Sequence, residues 1–364
     1  MRNPVTAVKQ TAARYKTLDA RDKKSFWVDM LLNNAIYIIL IVFLIYTAIR
    51  NSNLVSLGAL VNLVQLVAAN LPMALGIGGC IVLTGTDLSA GRVVGLTAAI
   101  SASLLQTATA ANKFFDSLGE PNIGMVLLVL VIALGIGGLV GLVNGFFVAK
   151  FQLHPFIVTL ATQLIVYGAC LMYYMSNDNN GQPISGLSDA YRNFVTGSIL
   201  PRFGPNNSLS IPNYVLFAVV VFIIMWFIWN KTTFGKNMFA VGSNPEAANV
   251  SGVNVFFTTM MVHTLAGITY GYAGFIEAAR INSNVASTGV NYESDAIAAC
   301  VIGGVSFVGG TGTVGGVLLG VVLLRIIFVC LTYLSIDQNL QYIIKGAIIL
   351  LACSIDMRKY LTRK

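Results

Sequence analysis

The chain has 364 residues, of which 56% are hydrophobic and only 10% charged, with a mean hydropathy of +0.77. Soluble domains carry roughly 25% charge, so a soluble enzyme or nucleic-acid-binding class is excluded despite the net charge of +8. Much of that charge lies at the two ends of the chain, where it reads as membrane topology, and the short alternating segments of a β-barrel are absent.

Residues 1–30 are polar and carry seven Lys/Arg from Arg2 to Lys24, too long and mixed for the basic start of a signal peptide. They are expected to form a cytoplasmic N-terminal tail, with Phe26 and Trp27 at the membrane interface. Apolar runs then predict spans over 31–49, 60–84, 91–110, 124–149, 155–175, 213–230, 255–278, 294–308, 313–334 and 339–357. The fold class is all-α and polytopic, with about ten transmembrane helices, the eighth short enough to be broken or re-entrant. The membrane region covers 31–357, and residues 358–364 form a second cytoplasmic tail.

With the N-terminus inside, the inner face collects the tail bases, Arg92, Lys150, Lys231, Lys236, Arg358, Lys359, Arg363 and Lys364. The outer face keeps Arg50, Lys113, Arg192, Arg202 and Arg280, so the excess lies inside. The loop over 176–212 is then external, and its Asn, Gly, Pro and Ser content reads as a solvated cap or a docking surface. Gly137, Gly141 and Gly145 in the fourth span, and Gly312, Gly316 and Gly320 in the ninth, stand four apart, a spacing that brings helix backbones close. An inverted repeat of spans 2–5 and 7–10 would place these two stripes in equivalent positions.

The loop over 231–254 is short, polar and basic at its start. Asn244 is a plausible N-cap, Pro245 suits a first helical turn, Glu246 complements the helix dipole, and Gly252 can end the helix with positive φ. A helix of about two turns is predicted, too short to stand alone in water and in need of something to dock on.

Polar residues interrupt the apolar sequence at two places. Thr84–Arg92 (TGTDLSAGR) reads as a tight turn or as broken-helix backbone lining a polar route, with Asp87 capping the following helix or pairing with Arg92. Glu277, Arg280, Glu293 and Asp295 form a polar cluster at the external mouth, either an ion-pair network or a gate or partner contact. Arg325 and Lys345 fall inside late spans and are expected to snorkel or pair. Candidates for lining a path are Asn70, Thr84, Thr86, Asp87, Ser89 and Ser306.

Catalytic signatures are missing: there is no GxxxxGK[ST] P-loop, no HExxH and no nucleophile elbow, and Gly310–Gly315 matches GxGxxG without the strand–turn–helix context that motif needs. The five cysteines lie in apolar sequence without CxxC spacing, and His154 and His263 have no ligand cluster, so neither a cofactor nor a metal is expected. A carboxylate–histidine chain suited to a proton relay is also absent, which argues against ion-coupled transport.

GTDLSAGR (85–92), NKTTFGKNMFAVGSNPEAANVSGVNV (230–255), EAARINS (277–283), YESDAIAACVIGGVSFVGGTGTVGG (292–316) and QYIIKGAII (341–349) carry a resemblance. The chain resembles the sugar-type permease subunits of bacterial ATP-binding cassette importers, in the ribose/galactose group of the branched-chain-amino-acid/sugar permease superfamily. The TDLSAGR and SNPEAA forms lean toward the galactose/methyl-galactoside branch. The resemblance implies a type II-like importer permease in the bacterial inner membrane, paired with a second copy of itself in a homodimer. A cytoplasmic ATPase and a periplasmic sugar-binding protein are the implied partners. It also implies that Lys236, Gly242, Asn244, Pro245, Glu246, Ala247, Ala248 and Gly252 form a coupling element set against the ATPase.

Overall fold

A computed structural model of the chain describes residues 35–204 and 208–361. The predicted tail over 1–30, the start of the first span at 31–34 and the last three residues of the tail over 358–364 lie outside them.

The helices are α1 (Ala35–Arg50), α2 (Leu57–Val82), α3 (Ala90–Leu104), α4 (Ile123–Phe151), α5 (Pro155–Met175), α6 (Asp189–Thr196) and α7 (Asn213–Lys231). They continue with α8 (Thr233–Ser243), α9 (Pro245–Val250), α10 (Val255–Ile281), α11 (Tyr292–Ile302), α12 (Val314–Tyr333) and α13 (Gln338–Leu361). Among the described residues, α2, α4, α5, α7 and α12 are long and apolar enough to cross a membrane. The caps explain several starts. Ser56 accepts from the Ala59 N–H, Asn122 from Met125, Asn254 from Phe257 and Thr313 from Gly316, each relieving an orphan donor of a first turn.

The helix at the centre, α10, packs on α2, α3 and α4. Its 27 residues span about 40 Å, but it is not among the helices apolar enough to cross a membrane, with Thr258, His263, Thr269 and several glycines buried on it. A helix surrounded by protein has no need of an apolar surface all round. The first glycine stripe meets it: a Cβ added at Gly137 or Gly141 would collide with the backbone of Gly267 or His263. The second stripe packs elsewhere, with Gly316 against Gly303 and Gly320 against Ala299 of α11, while Gly312 lies outside the helix.

Two predicted spans are shorter than expected. The third ends at Leu104, not 110, because Gln106 and Thr107 turn aside to bond the loop beyond α5. Gln106 Nε2 donates to the Ser185 carbonyl at 2.8 Å and the Thr107 N–H to Gly186 at 2.8 Å. The eighth runs over Tyr292–Ile302 and stops at Gly303–Gly304, where Gly304 has φ +83°. Its 11 residues reach about 16 Å, roughly half a hydrocarbon core.

The loop over 176–212 is more than a solvated cap. It carries β1 (Ile184–Ser185), which pairs antiparallel with β2 (Ser283–Asn284), and the amphipathic α6, whose Tyr191 and Val195 are buried against the end of α10. The molecule therefore has an α6 end and, at the start of α10, an α9 end. Cys80, Cys170, Cys300 and Cys330 are buried and free, and no metal-ligating group occurs among the described residues.

Candidate functional site

Three polar stations follow one another along α2 and α10. The first is at the α9 end. Helix α9 begins where the sequence predicts: Asn244 Oδ1 accepts from the Ala247 N–H at 2.9 Å, Pro245 opens the helix, and Gly252 has φ +86°. The 11-residue α8 before it was not foreseen as a separate helix. Its Thr232 cap and apolar inner face (Met238, Val241) were readable, but Gly235 and Gly242 obscured the helical pattern. Lys236, Asn244, Pro245, Glu246, Ala247 and Gly252 are exposed, whereas Gly242 and Ala248 are buried and face the body of the chain.

Gly242 sits against the turn that follows α2 and the loop that precedes α12. The Gly310 N–H donates to the Val82 carbonyl at 2.9 Å, and an added Cβ at Gly242 would fall 2.9 Å from Gly310 N and inside the contact radius of the Val82 oxygen. Thr84, at φ +62°, touches Gly309. Ser306 is buried, with its Oγ accepting from the Val308 N–H at 3.3 Å. Val250, at the tip of α9, is 90% exposed, and a groove of about 610 Å³ lies between α9 and the end of α4.

The second station centres on Asp87, Ser89, Asn144 and Thr159, all buried. Asp87 Oδ1 accepts from the Ser89 N–H at 3.0 Å and from Ser89 Oγ at 2.6 Å. Asn144 Nδ2 donates to Ser89 Oγ at 3.0 Å, and Thr162 donates to Asn144 Oδ1 at 2.6 Å. Thr159 Oγ1 takes the Leu88 N–H at 3.1 Å and donates to the Thr86 carbonyl at 3.2 Å. Asp87 thus braces its own turn and does not cap α3, and Arg92 instead stacks on Tyr167 at 3.9 Å. Asp87 Oδ2 and Tyr270 Oη are buried without a hydrogen-bond partner among the described residues. Asn144 and Thr162 were missed by sequence reasoning: the signal was a lone Asn inside the glycine-rich fourth span.

The third station lies toward the α6 end. Arg280 forks onto Glu277 through two bonds of 2.7 Å, and Tyr292 Oη donates to Glu277 Oε1 at 2.7 Å. Arg325 bonds Asn70 Oδ1 at 2.7 Å and Asp295 Oδ2 at 3.2 Å, and Lys345 pairs with the other oxygen of Asp295. Asn70 is therefore separated from the other path candidates and joined to Glu277, Arg280 and Asp295. Glu293 turns away from them and lies against Gly91, within electrostatic reach of Arg92. That contact puts Arg92, counted toward the inner face, beside a residue counted toward the outer one. Both belong to short helices that start inside the bundle, so neither is an ordinary loop charge.

A family model described as branched-chain amino acid transport system / permease component matches residues 59–353. The chain belongs to this permease family. Over 347 residues the permease is 42% identical to the galactose/methyl galactoside import permease protein MglC of Escherichia coli (strain K12), covering 95% of this chain and 100% of that one. It is 42% identical over 341 residues to the protein of the same name from Haemophilus influenzae, covering 94% and 98%. The ribose import permease protein RbsC of Escherichia coli (strain K12) is 31% identical over 338 residues, covering 93% and 97%. No solved structure matches the chain.

Proposed function

We propose that this permease is the membrane subunit of an ATP-driven importer for a monosaccharide of the galactose/methyl-galactoside type. The observation that carries the reading is the 42% identity over essentially the whole of the galactoside permeases, against 31% for the ribose permease. The energy source is a separate ATPase, since the chain has no P-loop of its own.

In this reading about ten spans cross the bacterial inner membrane with both ends of the chain in the cytoplasm. Spans 2–5 and 7–10 form an inverted repeat. It is supported by matched packing: α10 contacts α3 and α4, and α2 contacts α11 and α12. The short helices α3 and α11 are the broken elements of the two halves. Two copies associate as a homodimer, and a periplasmic binding protein docks at the α6 end.

The ATPase meets α9 through Lys236, Asn244, Pro245, Glu246, Ala247 and Gly252. Gly242 and Ala248 carry its movement inward to the Val82 turn, and a shift of that turn opens or closes the path. Asn70, Thr84, Thr86, Asp87, Ser89 and Ser306 line the path. Glu277, Arg280, Glu293 and Asp295 serve its outer part.

The test is reconstitution with the cognate ATPase and binding protein in liposomes. Galactose uptake that needs ATP and survives an uncoupler is the expected result. Uptake by the permease alone, driven by a proton gradient, would replace this reading with a secondary carrier. Uptake of ribose in preference to galactose would move the substrate to the pentose branch.

A further inference from the structure

We infer that the Asp295–Arg325 pair is a transit site for a neutral monosaccharide, whose hydroxyls replace the pair's own contact as the sugar passes. This rests on the sugar-import reading and adds to it the residues that handle the sugar.

The pair stands as a partition between two cavities. One, of about 90 Å³, is lined by Asn70, Glu277, Arg280, Tyr292, Asp295 and Arg325. At about 30 Å³ each that is room for roughly three waters, so a sugar ring enters only once the pair parts and joins this space to the one beyond it. The other, of about 220 Å³, adds Gln338, Gln341 and Tyr342 on the far side of the same two residues.

A purely structural ion pair would be closed by packing and satisfied by its partners. Here Arg325 and Asp295 share one bond of 3.2 Å with a cavity on each side, and although Asn70 and Lys345 also hold them, Arg325 Nε is buried with no hydrogen-bond partner among the described residues. Two carboxylates, Glu277 and Asp295, face three cations, Arg280, Arg325 and Lys345, so the walls offer fixed donors and acceptors with little net charge. Such a lining suits a polyol, because each hydroxyl donates once and accepts as well.

Parting the pair strips one contact from each charge and leaves Asp295 with Lys345 and Arg325 with Asn70, so the cost stays below the about 3–5 kcal/mol of a charge stranded outright. A vicinal diol avoids this. One hydroxyl donates to Asp295 while its neighbour accepts from Arg325, so neither group loses a contact as the sugar slips between them. Tyr292 and Tyr342 supply the apolar faces that sugar rings need on either side. An ion cannot make the same exchange, because it answers only one of the two charges.

The test uses the full permease–ATPase complex in lipid nanodiscs with Ala69→Cys, a position on the wall of the smaller cavity, and a membrane-impermeant maleimide. D-galactose at about four times its dissociation constant should slow modification by about five-fold, the factor 1 + [L]/Kd. Arg325→Gln and, as a second variant that removes no charge, Asn70→Ala should each abolish that protection. Equal rates with and without D-galactose, protection that persists in both variants, or protection by D-galacturonate in place of D-galactose would each overturn the assignment. So would a thiol that never reacts, since it shows the cavity closed to solute. The same Ala69→Cys complex is then given binding protein and ATP. Galactose uptake without protection sinks the transit site alone, whereas no uptake of any monosaccharide by the unsubstituted complex sinks the import reading beneath it.

Discussion

Gly242 lies directly against the carbonyl of Val82, with no room for a methyl group between them. One residue belongs to the polar loop after α7 and the other to the last turn of α2, so any movement of α8 is delivered to the backbone that leads into Thr84 and Asp87. The Gly310–Val82 hydrogen bond of 2.9 Å ties the loop before α12 to the same point. Gly242→Ala forces α8 outward, at about 1–3 kcal/mol for an overpacked contact. We expect the variant to insert and bind the ATPase, yet to lose uptake by about ten-fold or more. Vesicle uptake set beside ATPase co-purification measures this, and wild-type transport would show that the contact transmits nothing.

Val250 and Glu246 are both exposed on α9, one apolar and one acidic, on a helix too short to fold without a partner. Val250→Asp should weaken ATPase binding by about 1.5–3 kcal/mol, the worth of a buried valine side chain. Glu246→Lys, or deletion of Pro245–Ala248, should abolish uptake and sugar-stimulated ATP hydrolysis while the chain still inserts. Normal stimulated hydrolysis in the deletion would remove α9 from the coupling scheme.

The parts of this chain legible in its sequence are those with local causes. Asn244, Pro245 and Gly252 bounded α9 because caps act within one turn. Hydropathy located the lipid-facing helices because the bilayer acts on each separately. What needed the fold was long-range pairing. Nothing in the sequence joins Asn70 to Arg325, or Lys345 to Asp295, across more than 200 and about 50 residues. The ends of α3 and α11 were misjudged for a related reason. Apolar residues such as Leu105 and Val305 are buried in the protein there, and hydropathy cannot tell protein from lipid. Glu293 was grouped with its sequence neighbours, but an 11-residue helix points Glu293 and Asp295 in different directions.

Tyr191 fastens the 176–212 loop to α10 by donating its hydroxyl to the Phe275 carbonyl, and its ring is completely buried. Burial pushes the phenol well above its ordinary value of about 10. Above that pH the opened loop releases a proton that the closed loop retains, so rising pH favours opening; below it the full contribution remains. Limited proteolysis of the loop should accelerate above about pH 10 in the wild type. Tyr191→Phe should remove that part of the pH dependence and loosen the loop by about 1 kcal/mol at neutral pH. An identical alkaline profile in Tyr191→Phe would assign the transition to other groups.

Asn144 joins α4 to both the Ser89 turn and Thr162 of α5, and it is completely buried. Its replacement by Leu keeps the volume but strands the Thr162 hydroxyl and removes a donor from Ser89, whose own proton is committed to Asp87. Each buried group left unsatisfied costs about 1–3 kcal/mol. Asn144→Leu should therefore lower the thermal midpoint of the purified permease more than Asn144→Asp, which can still accept from Thr162. Ser89→Ala in the Asn144→Leu background should cost less than Ser89→Ala alone, because the two residues share one hydrogen bond. A double-mutant cycle on thermal unfolding in detergent measures that coupling. Strict additivity would show that the Asp87 turn stands without help from α4, and that the second station is two separate sites.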